Sequence, residues 1–211
     1  MNKAARAPAT VTIAAATTAA SVMLLLSGWL PYAAVLGGFV PERFTGLVIP
    51  SELGTAVPAW LTPLSATLIH GGVGHLALNL AMLVFCGLLV ERAIGARGMI
   101  LLYVAGAYAA ALAQWLIGQG GPMIGASGAI SAVVAAYALF YGNNRARRLG
   151  PVPGSLVHVA WLATAWIGIQ LLVGVAGVGG SASIAVGAHI GGFLAGLALA
   201  RPLLLWRHRE A

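Results

Sequence analysis

The chain has 211 residues, of which 60% are hydrophobic and 7% are charged; because soluble domains carry about 25% charged residues, this composition excludes an ordinary soluble domain and indicates a membrane protein. The formal net charge of +7 does not indicate nucleic-acid binding, because the basic residues stand between hydrophobic runs and do not form one face. The single cysteine, Cys86, lies within an apolar run and excludes an internal disulfide bond or a cysteine metal cluster.

Six apolar stretches are long enough to cross a hydrocarbon core, which takes about 20 helical residues. They cover roughly 10–30, 73–92, 98–118, 125–142, 157–176 and 184–205. The first resembles a signal peptide, but its apolar run exceeds the signal core of about 7–15 residues, which favours a retained helix. We predict an all-α polytopic membrane protein, with one membrane domain over residues 1–211 and six transmembrane helices. The proline-rich segment 31–72 is predicted to be a semi-ordered loop on or in the outer leaflet.

The basic residues predict the orientation of these helices. Ten of the eleven lysines and arginines lie in four places. These are the segment before the first helix, the connection between the second and third, the connection between the fourth and fifth, and the end of the sixth. With six spans, all these places fall on one face, and the positive-inside rule makes that face cytoplasmic. We therefore expect both termini to be cytoplasmic, in a multi-pass protein that is surrounded by lipid in the bacterial cytoplasmic membrane.

Four polar residues fall at one depth of this predicted bundle. Ser127 lies about 22 Å from the cytoplasmic end of the fourth helix at 1.5 Å per residue, several ångströms below the outer surface of a core about 30 Å thick. His189 lies roughly 8–9 Å below the same surface, and His75 and Asn79 share one face near the outer end of the second helix. Because ionisable residues in the membrane usually face the bundle interior or a water-filled cavity, we predict that these four side chains meet.

Because the chain contains no aspartate, a hydrolase here must use a serine–histidine dyad or a distant glutamate. A serine and a histidine can together perform nucleophilic catalysis. The histidine takes the hydroxyl proton and later gives it to the leaving amine. The small residues Gly192 and Gly196 form a GxxxG pair, which predicts close contact between the sixth and fourth helices. The His75 ring N–H, the Asn79 amide and the Ser127 backbone N–H are candidate donors to the oxyanion.

Other roles for these residues compete with catalysis. His70, His75 and His189 are three possible zinc ligands, but the first two do not share a helical face, and no HExxH motif is present. A channel or transporter would place polar residues through the whole bilayer, whereas this cluster stops in the outer third. Taken singly, the serine is typical of helix packing, the asparagine of an interhelical hydrogen bond, and each histidine of a satisfied core residue. We therefore predict no metal site.

Four motifs in a fixed order carry a family resemblance. They are HxxxxHxxxN from His70 to Asn79, Gly87-x3-Glu91-x3-Gly95, the GxSG around Ser127, and the AHxGG that begins at Ala188. In this order, and with six predicted helices, the chain over about residues 58–205 resembles a rhomboid intramembrane serine protease.

The resemblance implies a function and a role for each site residue. Ser127 is then the nucleophile, His189 the general base and acid, and His75 and Asn79 serve the oxyanion hole. The implied reaction cleaves peptide bonds in or near the transmembrane segment of a membrane-protein substrate, without a cofactor. The alternative is a non-catalytic relative that binds transmembrane helices as a chaperone or adaptor; the presence of both Ser127 and His189 favours the enzyme. A sorting protease for C-terminal anchors is a further form of the same activity.

The chain departs from the pattern of this family in two places. Trp60 is followed by Leu61, where the family often has a Trp-Arg pair. Ser131 stands four residues after Ser127, where many members have an aromatic ring that packs against the catalytic histidine, so His189 is expected to depend on other packing. The resemblance also matches Glu91 to a glutamate of the family, which we interpret as structural because it lies at the predicted cytoplasmic end, capping or pairing near Arg92 or Arg97.

Overall fold

The computed structural model describes residues 7–117, 121–142, 147–175 and 185–209. Lys3, Arg6 and Arg145, which contribute to the predicted orientation, lie outside these residues. Within the described ranges the regular structure is helical, with two isolated backbone bridges and no strand. The predicted all-α class is therefore confirmed.

The longer α-helices of the described residues follow the predicted apolar stretches, and two short ones, α2 and α3, lie in the segment predicted to be a loop. They are α1 (Pro8–Ser27), α2 (Leu30–Gly37), α3 (Thr62–Ser65), α4 (Val73–Ile117), α5 (Ser127–Tyr141), α6 (Gly154–Val175) and α7 (Val186–Arg207). By length and composition, α1, α4 and α7 are long and apolar enough to cross a membrane, and α5 and Gly154–Ile169 of α6 are shorter apolar helices. These lengths fit an integral membrane protein. Six crossings and two cytoplasmic termini stay predictions.

The long helix α4 is two helical arms, 73–94 and 96–117, joined at Gly95. The φ of 77° and ψ of 167° at Gly95 are not helical, and glycine reaches this conformation without the strain of a Cβ. Arg207, at the end of α7, donates to the carbonyl oxygens of Glu91 and Arg92, the latter through a short hydrogen bond. A cation therefore covers carbonyl groups that the end of the first arm leaves without a helical partner.

The two arms run in opposite directions along α5. At the end of the first arm, the Leu89 carbonyl accepts a 2.9 Å hydrogen bond from the hydroxyl of Tyr141, the last residue of α5. Near the end of the second arm, Ala110 instead lies beside Gly128 at the start of α5, since a Cβ on that glycine would be 2.5 Å from the Ala110 Cβ. The predicted separation of a second and a third helix thus corresponds to the hairpin at Gly95.

Helix α5 lies at the centre of the bundle. Every residue from 128 to 136 is buried, as expected of a helix that is apolar on all sides. Helix α7 packs closely on it, because a Cβ at Gly192 or Gly196 would collide with the carbonyl oxygen of Gly128 or Ala132. The predicted contact through the GxxxG pair is confirmed.

The segment 31–72 is more regular than predicted. Besides α2 and α3 it contains the 3-10 turns Pro41–Phe44, Ser51–Leu53, Ala59–Leu61 and Ala66–Leu68. Several prolines that suggested irregular chain instead stand in the first turn of these helices, where a missing N–H costs nothing. The segment also holds the chain ahead of α5: Phe39 and Met123 exchange backbone hydrogen bonds of 3.0 and 2.8 Å, and Gly125 N–H donates to the Ala66 carbonyl at 2.9 Å.

Glu91 caps α1 rather than its own helix. Its side-chain oxygens accept hydrogen bonds from Ala9 N–H at 2.9 Å, Thr10 N–H at 2.7 Å and the Thr10 hydroxyl at 2.7 Å. The side chain is 2% exposed, so these bonds are shielded from water. An acceptor at a helix N-terminus satisfies N–H groups that have no helical partner, and its negative oxygens interact favourably with the positive end of the helix dipole. Glu91 therefore has the structural capping role that was expected, with a different helix end as its partner.

Candidate active site

Ser127 and His189 meet at the end of the bundle opposite to Gly95. Ser127 is the first residue of α5, and His189 lies in the first turn of α7. The His189 Nε2 atom is 2.8 Å from the Ser127 Oγ atom. The histidine is 4% exposed and the serine is partly exposed. The other ring nitrogen, Nδ1, is buried and makes no hydrogen bond to the residues that the structure describes. The pair is therefore arranged for proton transfer between hydroxyl and imidazole.

Gly125, two residues before the serine, brings the backbone directly against His75. Its φ of +110° lies in the region that favours glycine, and a Cβ there would be 2.7 Å from Cε1 and 2.8 Å from Nε2 of the His75 ring. The Nδ1 atom of His75 accepts the Gly71 N–H at 3.4 Å. In a neutral imidazole the proton is then on Nε2, so His75 presents an N–H to the chain just ahead of Ser127.

Asn79 lies one helical turn beyond His75 in the first arm of α4. It is 2% exposed, and its amide Nδ2 donates a 2.8 Å hydrogen bond to the His75 carbonyl oxygen. This bond uses one of the two amide hydrogens. The Oδ1 atom is buried without a hydrogen-bond partner within the described ranges. Asn79 is thus a buried amide beside His75, with donor capacity remaining.

His70 holds the residue that precedes the serine, a role that the sequence did not predict. Its Nε2 accepts the Ala126 N–H at 3.3 Å, and its Nδ1 lies 2.9 Å from the Ser21 hydroxyl. Because that hydroxyl donates to the Leu68 carbonyl at 2.8 Å, it accepts from His70 Nδ1–H. Burial, and secondarily the charge of His75, lowers the pKa of His70 to about 3. The ring is therefore neutral at pH 7, which leaves Nε2 as an acceptor.

Gln114 holds the start of α7, another role that the sequence did not predict. Its Oε1 accepts the Ala188 N–H at 3.2 Å, one of the amides in the first turn that lack a helical acceptor. A Cβ on the neighbouring Gly187 would be 3.0 Å from the same oxygen. Only the three-dimensional contact between α4 and α7 reveals this cap, since 74 residues separate the partners. The cap fixes the turn that carries His189.

Known proteins resemble most of this chain. The family model described as Rhomboid domain matches residues 58–206. Rhomboid-related protein 3 of Homo sapiens is 34% identical over 91 residues, which are 43% of this chain and 22% of that protein. RHOMBOID-like protein 4 of Arabidopsis thaliana is 29% identical over 145 residues, which are 69% of this chain and 34% of that protein. The matched part therefore spans about a fifth to a third of these relatives. Both are eukaryotic, and the bacterial cytoplasmic membrane stays a prediction.

Proposed function

The chain belongs to the rhomboid family, and we propose that it is an intramembrane serine endopeptidase. It cleaves peptide bonds in or near the transmembrane segments of membrane proteins. The observation that carries this proposal is the 2.8 Å contact between Ser127 Oγ and His189 Nε2. Ser127 and His189 are 62 positions apart in an apolar chain. The packing of apolar helices does not by itself require their polar atoms to lie at hydrogen-bonding distance.

Ser127 is the proposed nucleophile and His189 the proposed base. As Ser127 Oγ attacks the carbonyl carbon of the scissile bond, His189 Nε2 takes the hydroxyl proton and then gives it to the leaving amine. A water molecule attacks the resulting acyl-enzyme, and the same nitrogen takes its proton and returns it to the serine. His189 Nδ1 is buried without a carboxylate partner within the described ranges, so the proposed catalytic unit is a dyad.

The oxyanion of each tetrahedral intermediate requires donors, for which we propose three groups. The Ser127 N–H stands at the N-terminus of α5, where backbone N–H groups lack helical acceptors and the helix dipole favours negative charge. His75 contributes its Nε2–H and Asn79 its remaining amide hydrogen. Such donors are most effective when they are fixed in a dry site. The contact of Gly125 with His75 and the Ala126–His70 hydrogen bond support a fixed arrangement.

We further propose that the end of the bundle with Ser127 faces the outer side of the membrane. The opposite end carries Arg92 and Arg97 near the Gly95 turn, and Arg207 at the end of α7. Positive residues of short loops accumulate on the cytoplasmic side. This orientation includes six crossings and two cytoplasmic termini.

A fluorophosphonate probe tests the proposed dyad, because it reacts only with an activated serine. The purified protein in lipid should be labelled at Ser127, and Ser127→Ala and His189→Ala should each abolish labelling. Ser51→Ala and His208→Ala are matched controls at exposed positions and should be labelled like the wild type. Labelling that persists in Ser127→Ala contradicts the assignment of the nucleophile. A folded wild-type protein that is not labelled at all indicates a non-catalytic binder of transmembrane helices.

A further inference from the structure

Trp166 is the most deeply buried of the described side chains of helix α6. This indole is 3% exposed, and no other described side chain of α6 is buried. Leu156, Trp161 and Leu172 on the same helix are 58%, 70% and 70% exposed. The burial of this indole fixes the position of α6, which is otherwise peripheral, and of the side chains that the indole contacts.

Trp166 reaches the proposed nucleophile helix through a chain of two hydrogen bonds. Its Nε1–H donates to Ser131 Oγ at 2.7 Å, and Ser131 Oγ donates to the Ser127 carbonyl oxygen at 2.7 Å. The directions agree with the chemistry of the groups, because an indole nitrogen only donates while a hydroxyl both donates and accepts. The indole is therefore held in one orientation, one helical turn below Ser127.

The same indole packs against the imidazole of His189. The two ring centroids are 6.4 Å apart, and the ring planes meet at 63°, an edge-on arrangement that aromatic rings favour. A histidine base is usually oriented by a hydrogen bond to its second nitrogen, but Nδ1 of His189 has no such partner within the described ranges. The ring is thus oriented by its contact with Ser127 on one side and by the indole on another.

We propose that Trp166, held by Ser131, is a positioning residue that keeps the His189 imidazole aligned with Ser127 Oγ. This inference rests on the proposed function of that pair. Ser131 is required to be a small hydroxyl residue, because it supplies the acceptor for the indole and leaves room for it. Many members of the family have an aromatic ring at the position of Ser131, on the helix of the nucleophile. In this chain Trp166 supplies the ring from a different helix, α6.

The test separates alignment of the base from correct folding. Labelling by the fluorophosphonate is followed over time, so that its final extent reports the folded fraction and its rate constant reports the geometry of the dyad. Trp166→Leu should lower the rate constant about 10- to 100-fold, the effect of a base displaced by about 1 Å, while the final extent stays within a factor of two. Trp166→Phe keeps a ring and loses the N–H, and should lower the rate constant about three- to tenfold. Trp161→Leu, at the exposed tryptophan of the same helix, should leave the rate constant unchanged.

A double variant tests the role of Ser131. Trp166→Phe and Ser131→Ala remove the same hydrogen bond from opposite sides, so the rate constant of the double variant should be close to that of the slower single variant. Multiplicative effects of the two changes would contradict the coupling.

The outcomes distinguish this inference from the proposed function. If the wild type is not labelled at Ser127, the proposed function fails. If the wild type is labelled and both Trp166 variants keep its rate constant, or lose only the final extent, Trp166 is a structural residue and the inference is wrong. Should Trp166→Leu fail to fold, the rate constant of Trp166→Phe decides.

Discussion

The replacement of Gly125 by alanine should remove most activity with a moderate loss of stability. The new Cβ would lie 2.7 Å from Cε1 of His75 and 2.8 Å from Nε2, closer than carbon contacts allow, so the imidazole or the chain ahead of Ser127 must move. The φ of +110° adds about 1–2 kcal/mol of backbone strain for a residue with a Cβ. Overpacking adds about 1–3 kcal/mol. Displacement of one oxyanion donor lowers kcat about 10²- to 10³-fold.

Gly121→Ala is the matched control for this prediction. Its φ of +93° imposes a similar backbone strain, but no atom lies within 4 Å of a Cβ at that position. The assay is cleavage of a transmembrane reporter by each variant in lipid vesicles, with the folded fraction measured by thermal unfolding. Gly125→Ala should lose at least about tenfold more kcat than Gly121→Ala. Equal kcat values for the two variants would refute the argument that the glycine is needed to seat His75.

Two further predictions concern stability and orientation. Glu91→Ala removes the acceptor of three hydrogen bonds at the start of α1 and should lower the unfolding free energy by about 2–4 kcal/mol. The control Glu52→Ala, at an exposed position, should change the unfolding free energy by no more than about 0.5 kcal/mol. Equal shifts of the unfolding temperature in the two variants would contradict the capping role. Ser51→Cys in a Cys86→Ala background should react with an impermeant maleimide only from the outer side of the membrane, and reaction only from the cytoplasmic side would overturn the proposed orientation.

The helices were predictable because their signal is local. A spanning helix needs a long apolar run, and each such run in the sequence corresponds to a helix or an arm of one in the described residues. The hairpin at Gly95 was also visible, since Arg92 and Arg97 interrupt the apolar sequence on either side of it. The GxxxG pair at Gly192 and Gly196 indicated the contact with α5, because small residues allow close packing of backbones.

The interactions that hold the candidate site could not be predicted, because their partners are far apart in sequence. Ser21 and His70 are 49 residues apart, and nothing in a helix of small and apolar residues marks one serine as the partner of a particular histidine. The chain contains six tryptophans, and nothing in the sequence distinguishes Trp166 from the others. Its role becomes visible only in the structure, where its indole donates a hydrogen bond to Ser131. The regularity of segment 31–72 was missed because its prolines were interpreted as breakers, not as first-turn residues.

The cleavage of a transmembrane reporter by the purified protein in lipid vesicles tests the central claim most directly. The wild type should release two fragments whose ends, determined by mass spectrometry, lie in or near the transmembrane segment of the reporter. Ser127→Ala should release neither, although it binds the reporter and unfolds at the temperature of the wild type. Cleavage at an unchanged rate by Ser127→Ala, or an intact reporter with a folded wild-type protein, would contradict the account.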